Sequence, residues 1–191
     1  IDGFEFTGGG GRLIDWASAA NIDGLTIEDN VFNLPSGPQN GGVIQLAGTG
    51  TAKNIDIANN LFEGSAFASS GDVSSTWVYV GGSTANGYSG LTLSGNDFTG
   101  GADNAVFQAA SNFGGLSVTD NYFTGSNGLI EGLNMGSLDN PTITGNQFVG
   151  VVYTGMQIGT TNGGLIQGNT FDGTGSGYVS GGVRYASGME V

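Results

Sequence analysis

One recurring pattern limits what this chain can fold into: apolar, any residue, apolar, two residues, Asn, any residue, Phe. Its first full copy reads Leu25-Thr26-Ile27-Glu28-Asp29-Asn30-Val31-Phe32. The Asn and Phe return as Asn60 and Phe62, Asn96 and Phe98, Asn121 and Phe123, Asn146 and Phe148, and, in a weaker copy, Asn169 and Phe171. A degenerate first copy is assigned to Phe4-Glu5-Phe6, so the copies start at residues 4, 25, 55, 91, 116, 141 and 164. A looser apolar strand falls between copies: Leu13-Ile14-Asp15-Trp16, Val43 to Leu46, Trp77 to Val80, Ala105 to Gln108, Leu129 to Gly132, Gly155 to Ile158 and Val183 to Ala186. No segment carries an amphipathic helix with start and stop signals.

A strand of three to five residues is not stable alone. A repeat of roughly 25 residues made only of strands and turns suits one rung of a parallel β-solenoid, in which each strand pairs with its own copy about 4.8 Å away. The fold expected is therefore all-β: a right-handed parallel β-helix of about seven rungs, forming a single domain over residues 1–191 that is either complete or a segment of a longer chain. Stacking places Asn30, Asn60, Asn96, Asn121, Asn146 and Asn169 in one ladder of side-chain amides at a bend. It places Phe32, Phe62, Phe98, Phe123, Phe148 and Phe171 in a second ladder along the interior. The residue between them (Val31, Leu61, Asp97, Tyr122, Gln147, Thr170) is expected to point outward. An antiparallel sandwich would call for hairpin turns and more even strands, not the same Asn and Phe at the same offset six times.

The Asn-any-Phe corners and the Gly-Leu-Thr-Ile type strands before them, over nearly the whole chain, resemble the right-handed β-helix repeats of the pectate-lyase-like superfamily. That resemblance implies a fold shared by lyases, hydrolases, epimerases, tailspikes and adhesins, so it does not choose among functions. In its enzymes it implies action on polysaccharides at the outer face of one sheet. A lyase needs Arg, Lys or His as base, often with calcium; a hydrolase needs clustered carboxylates.

Composition narrows these options. Gly is 39 of 191 residues, against a usual share of roughly 7%. The glycines recur in phase with the apolar residues, so they read as turns between short buried strands rather than as a linker. There is no Cys or His, which excludes disulfides and Cys/His zinc sites. Three basic against 16 acidic residues give a net charge of −13, which opposes nucleic acid and anionic membranes as partners. No apolar run is long enough for membrane insertion by a helix.

The requirements for catalysis are poorly met. The outer row of the motif strand reads Thr26, Asp56, Thr92, Ser117, Thr142 and Leu165, with one carboxylate and no base. Its hydroxyls raise ice binding as a further idea. The outer row of the intervening strand is expected to read Asp15, Gln45, Tyr79, Phe107, Glu131 and Gln157. The cations Arg12, Lys53 and Arg184 fall in the first, second and last rungs, and Lys53 with Asp56 is the one basic–acidic pair close in sequence. No catalytic residue is assigned. Asp97, Asp103 and Asp120 near successive corners are candidates for calcium, the only cofactor considered. Trp77, Tyr79 and Tyr88, beside Gly/Ser-rich excursions that include Phe67 and Asp72, are candidates for stacking on sugar rings.

The expectation is a non-catalytic extracellular or cell-surface module with a rigid structural, adhesive or filament-forming role. Its partners would be copies of itself end to end, flanking domains, or polysaccharide. The competing expectation is a polysaccharide-acting enzyme or its sugar-binding segment.

Overall fold

A computed structural model describes residues 1–8, 11–35, 38, 41–64, 75–81, 88–108, 113–174, 178–180, 183–185 and 187–190. Within them the chain is strand and turn throughout, wound as a parallel β-solenoid of about five turns. That is fewer than the seven rungs expected. The end copies do not build full three-faced turns: the first gives the motif face an isolated Asp2–Glu28 bridge rather than a strand, and beyond Thr170–Asp172 the chain enters an antiparallel pair.

Three faces build each turn. One sheet contains the Phe strands Glu5–Thr7, Val31–Leu34, Leu61–Gly64, Asp97–Phe98, Tyr122–Thr124, Gln147–Val149 and Thr170–Asp172, all parallel. A second face stacks the intervening strands Ile14–Trp16, Gly41–Leu46, Ser75–Val80, Asn104–Gln108, Glu131–Asp139, Thr154–Asn162 and Ser187–Glu190. The third carries the motif strands Thr26–Glu28, Ala52–Ala58, Tyr88–Ser94, Ser117–Thr119, Thr142–Thr144 and Leu165–Gln167. Glu131–Asp139 and Thr154–Asn162 run continuously from the second face onto the third. Among the described residues the one antiparallel pair is Tyr178–Ser180 with Val183–Tyr185.

The interior follows from strand alternation, since every second side chain points the same way. Ile27, Ile57, Leu93, Val118 and Ile143 line the inside of the motif face, and Ile44, Val78, Val106, Leu133 and Met156 line the second face. The Phe column fills the space between. Its rings lie 4.6–4.9 Å apart and within 7° of parallel, from Phe6 to Phe171.

Phe6 corrects the phase given to the first copy. It pairs with Phe32 and belongs to the Phe sheet, not to a motif strand. The motif position in that turn falls at Asp2, which bridges to Glu28. Phe4 then occupies the place of the ladder Asn, and its N–H donates to Asn30 Oδ1.

The Asn ladder is continuous. Each side-chain Oδ1 accepts both the backbone N–H and the Nδ2–H of the Asn one turn earlier, at 2.9–3.0 Å for every step from Asn30 to Asn169. The remaining Nδ2 hydrogens go to backbone carbonyls at the bend, as in Asn96 to Ile57 and Asn121 to Leu93. Only Asn satisfies this place: a short side chain with one acceptor and two donors, at a corner where the preceding residue is left-handed. Asp29, Asn59, Gly95, Asp120, Gly145 and Gly168 hold φ between 53° and 71°.

Candidate functional site

With the interior filled by ladders, chemistry is confined to the outward rows. On the second face the register gives Asp15, Gln45, Tyr79, Phe107, Asn134 and Gln157. Glu131, expected in this row, is not in it; Asn134 takes the place, and Glu131 pairs with Asn104 and Thr154. The apolar pair Leu129-Ile130 suggests a register three residues too early. The strand begins at Glu131, and Leu133 and Met135 are its inward residues.

Tyr79 and Phe107, both half-buried, stack across adjacent turns with centroids 5.7 Å apart and planes 24° from parallel. The Tyr79 ring lies over Gly81, where a Cβ would sit 2.4 Å from it. Two amides follow the pair, Asn134, whose Nδ2 donates to Glu131 Oε2 at 2.6 Å, and Gln157, while Gln45 on the other side is buried and accepts from Gly42 N–H at 3.4 Å. This row offers an aromatic platform edged by hydrogen-bonding groups.

The other two aromatic candidates do not reach the surface. Trp77 is fully buried against Phe62, and its Nε1–H donates to Gly100 O at 3.2 Å. Tyr88 is buried on Phe113, 5.4 Å between centroids, with its hydroxyl hydrogen-bonded to the carbonyls of Leu46 (2.8 Å) and Gly81. Burial, with a smaller contribution from Tyr79, pushes the Tyr88 phenol up to about 12. Trp77 is core because residues 75–78 are all buried in succession, which breaks the two-residue alternation from which exposure is read, and Tyr88 is the buried first residue of Tyr88–Ser94. Phe67 and Asp72 lie outside the described residues.

The calcium candidates are not brought together around one ion. Asp97 is exposed at the head of a Phe-sheet strand, between Leu61 and Tyr122. Asp120 holds a left-handed corner, its Oδ1 lying over Gly145. Asp103 is buried just before Asn104–Gln108. Among the described residues no group of three or more Asp, Glu, His or Cys side chains converges. Next to Asp103, the Asn104 Oδ1 is buried without a hydrogen-bond partner, in register with Glu131. That corner is rich in acceptors and suits a donor or a water.

The pairing of Lys53 with Asp56 is not formed. Asp56 Oδ1 is shielded and without a partner, Lys53 is exposed, and the ion pair found among the described residues is Arg12–Asp15 at 3.3 Å.

Two features escape sequence reasoning. The motif face carries a second outward row, Glu28, Ala58, Ser94, Thr119, Thr144 and Gln167, two residues beyond the first. A groove of about 360 Å³ opens where the second and third faces meet, lined by Gly114, Ser137, Leu138, Asp139, Thr160, Thr161 and Asn162. Its signal is visible afterwards: Ser137-Leu138-Asp139 and Thr160-Thr161-Asn162 repeat polar residues two apart, one turn apart.

Comparison with protein families, curated proteins and solved structures finds no significant match to this chain.

Proposed function

We propose that the chain is a non-catalytic β-helix module of an extracellular or cell-surface protein, serving as a rigid structural and adhesive segment. The observation that carries this is the unbroken pair of ladders. From Asn30 to Asn169 every turn is tied to the next by two hydrogen bonds accepted by one side-chain amide oxygen, and from Phe6 to Phe171 by a ring-on-ring contact. Such a column resists bending, because bending must open buried hydrogen bonds or separate stacked rings. The amide corners also support placing the coil with the right-handed β-helices of the pectate-lyase-like superfamily. The exposed Ile1, Phe4, Leu165 and Met189 favour stacking on flanking chain or on another copy end to end.

A second reading, contact with polysaccharide, is favoured by the Tyr79–Phe107 platform. Aromatic faces stack on the apolar faces of sugar rings, and the neighbouring amides can take hydroxyls.

The test is a screen of the purified chain on neutral and acidic polysaccharides, with and without calcium, reading turnover and binding together. The proposal expects no release of unsaturated or reducing sugar; either product would overturn it. Size-exclusion chromatography over a concentration series tests the end-to-end partner: growth in size with concentration is expected, and a strictly monomeric profile rules out self-stacking.

A further inference from the structure

The groove between the second and third faces lies away from the Tyr79–Phe107 row, and its chemistry is specific. Two outward pairs from adjacent turns form its walls. Thr160 Oγ1 donates to Ser137 Oγ at 2.9 Å, and Asn162 Nδ2 donates to Asp139 Oδ1, also at 2.9 Å. Asn140 Nδ2 adds a longer bond to the same Asp139 oxygen, 3.4 Å. These contacts fix the rotamers of exposed side chains and leave defined valences open. Ser137 still has its O–H to give, and among the described residues Asp139 Oδ2 and Asn162 Oδ1 take no bond.

Those open groups are one donor, the Ser137 hydroxyl, and two acceptors, the Asp139 and Asn162 oxygens. They are spaced by two residues along a strand, about 6.7 Å, and by one turn across it, about 4.8 Å. Adjacent hydroxyls of a polyol match such a set, since each hydroxyl gives one hydrogen and accepts another. The volume, about 360 Å³, falls in the range of small-ligand pockets. The floor at Gly114 has no side chain, so a ring can approach the backbone there. No cation lines the groove and the chain carries −13, which disfavours anionic sugars. One carboxylate cannot supply the six to eight oxygens that calcium takes. No exposed apolar wall is present for a lipid or aromatic ligand.

We propose that this groove binds a neutral saccharide, with Ser137, Asp139 and Asn162 taking the hydroxyls of one ring. The assignment deepens the adhesive part of the proposed function and rests on that reading.

The experiment is a ¹H–¹⁵N titration of the labelled chain with cellotetraose, xylotetraose, mannotetraose and tetragalacturonate. Each sample is also assayed for new reducing ends. The expected result is millimolar binding of at least one neutral sugar, with shifts confined to Gly114, Ser137–Asp139 and Thr160–Asn162, and weaker or no binding of tetragalacturonate. Gly114→Val fills the groove, and the position tolerates it: an added Cβ meets nothing nearer than Tyr88 O at 4.0 Å, and φ is not left-handed. This variant is expected to abolish the shifts while keeping the parent spectrum elsewhere. Ser137→Ala and Asp139→Ala, both on exposed positions, are each expected to weaken binding about fivefold, and they keep the test valid should Gly114→Val perturb the fold.

Absence of shifts with every neutral sugar, shifts confined to the Tyr79–Phe107 row, preferred binding of tetragalacturonate, or unchanged binding by the three variants would each overturn the groove assignment. New reducing ends would instead overturn the non-catalytic reading on which it rests.

Discussion

At the scale of single residues, the two ladders do different work. Phe98 is fully buried between Phe62 and Phe123, so Phe98→Ala removes ring contacts on both sides and leaves a cavity. The expected cost is about 3–5 kcal/mol. Asn96→Ala removes little volume but strands the N–H and Nδ2–H of Asn60 in the interior; about 3 kcal/mol is expected. Chemical denaturation of both variants checks this: a cost below about 1 kcal/mol for Asn96→Ala would mean that the amide ladder contributes little. Tyr88 gives a pH signature. Its phenol is raised to about 12 in the folded chain, so the neutral form is favoured by folding. That contribution is complete below pH 10 and is lost as pH rises through about 12. Ultraviolet titration of the six tyrosines should show one late component, absent in Tyr88→Phe. A titration with no late component, or one unchanged in Tyr88→Phe, would contradict its burial.

At the scale of elements, the corner before each ladder Asn is the conformational constraint. Gly145 has φ of 71°, and a Cβ there would lie 2.2 Å from Asp120 Oδ1. Gly145→Ala is therefore expected to destabilise by about 2 kcal/mol, from the left-handed backbone and the displaced carboxylate. An unchanged melting temperature would count against this turn geometry. The strands themselves were legible in the sequence wherever the motif was complete, because Asn and Phe fix both face and register. Legibility failed where that anchor was missing. Phe4-Glu5-Phe6 mimics a motif strand by its apolar alternation, but its anchor is the pairing of Phe6 with Phe32, one strand later in the turn. Glu131 was placed in the outward row because Leu129-Ile130 mimics an inward pair. Trp77 is hidden from alternation because residues 75–78 are buried in succession, and Tyr88 because it heads its strand on the buried side. The groove at Ser137 and Asp139 was invisible for another reason: it exists only when two turns 23 residues apart are laid side by side.

At the scale of the whole molecule, about five turns stack to a rod roughly 24 Å long. Its charge of −13 is distributed over an outer surface with few cations to offset it. Self-repulsion opposes the compact state, so screening should help folding. The melting temperature is expected to rise from low salt to about 0.5 M sodium chloride, where the screening length is only a few ångströms. A falling melting temperature over that range would mean that attractive ion pairs dominate, contrary to the single Arg12–Asp15 contact found among the described residues.

The stacking itself is open to direct measurement by nuclear Overhauser spectroscopy on a uniformly labelled sample. The side-chain amide protons of Asn96 should show cross-peaks to Asn60 and Asn121, and the ring protons of Phe98 to Phe62 and Phe123, with the Asn side-chain amides exchanging slowly. Cross-peaks characteristic of antiparallel neighbours, or Asn amides exchanging as in an unfolded chain, would contradict the solenoid and the functional proposals built on it.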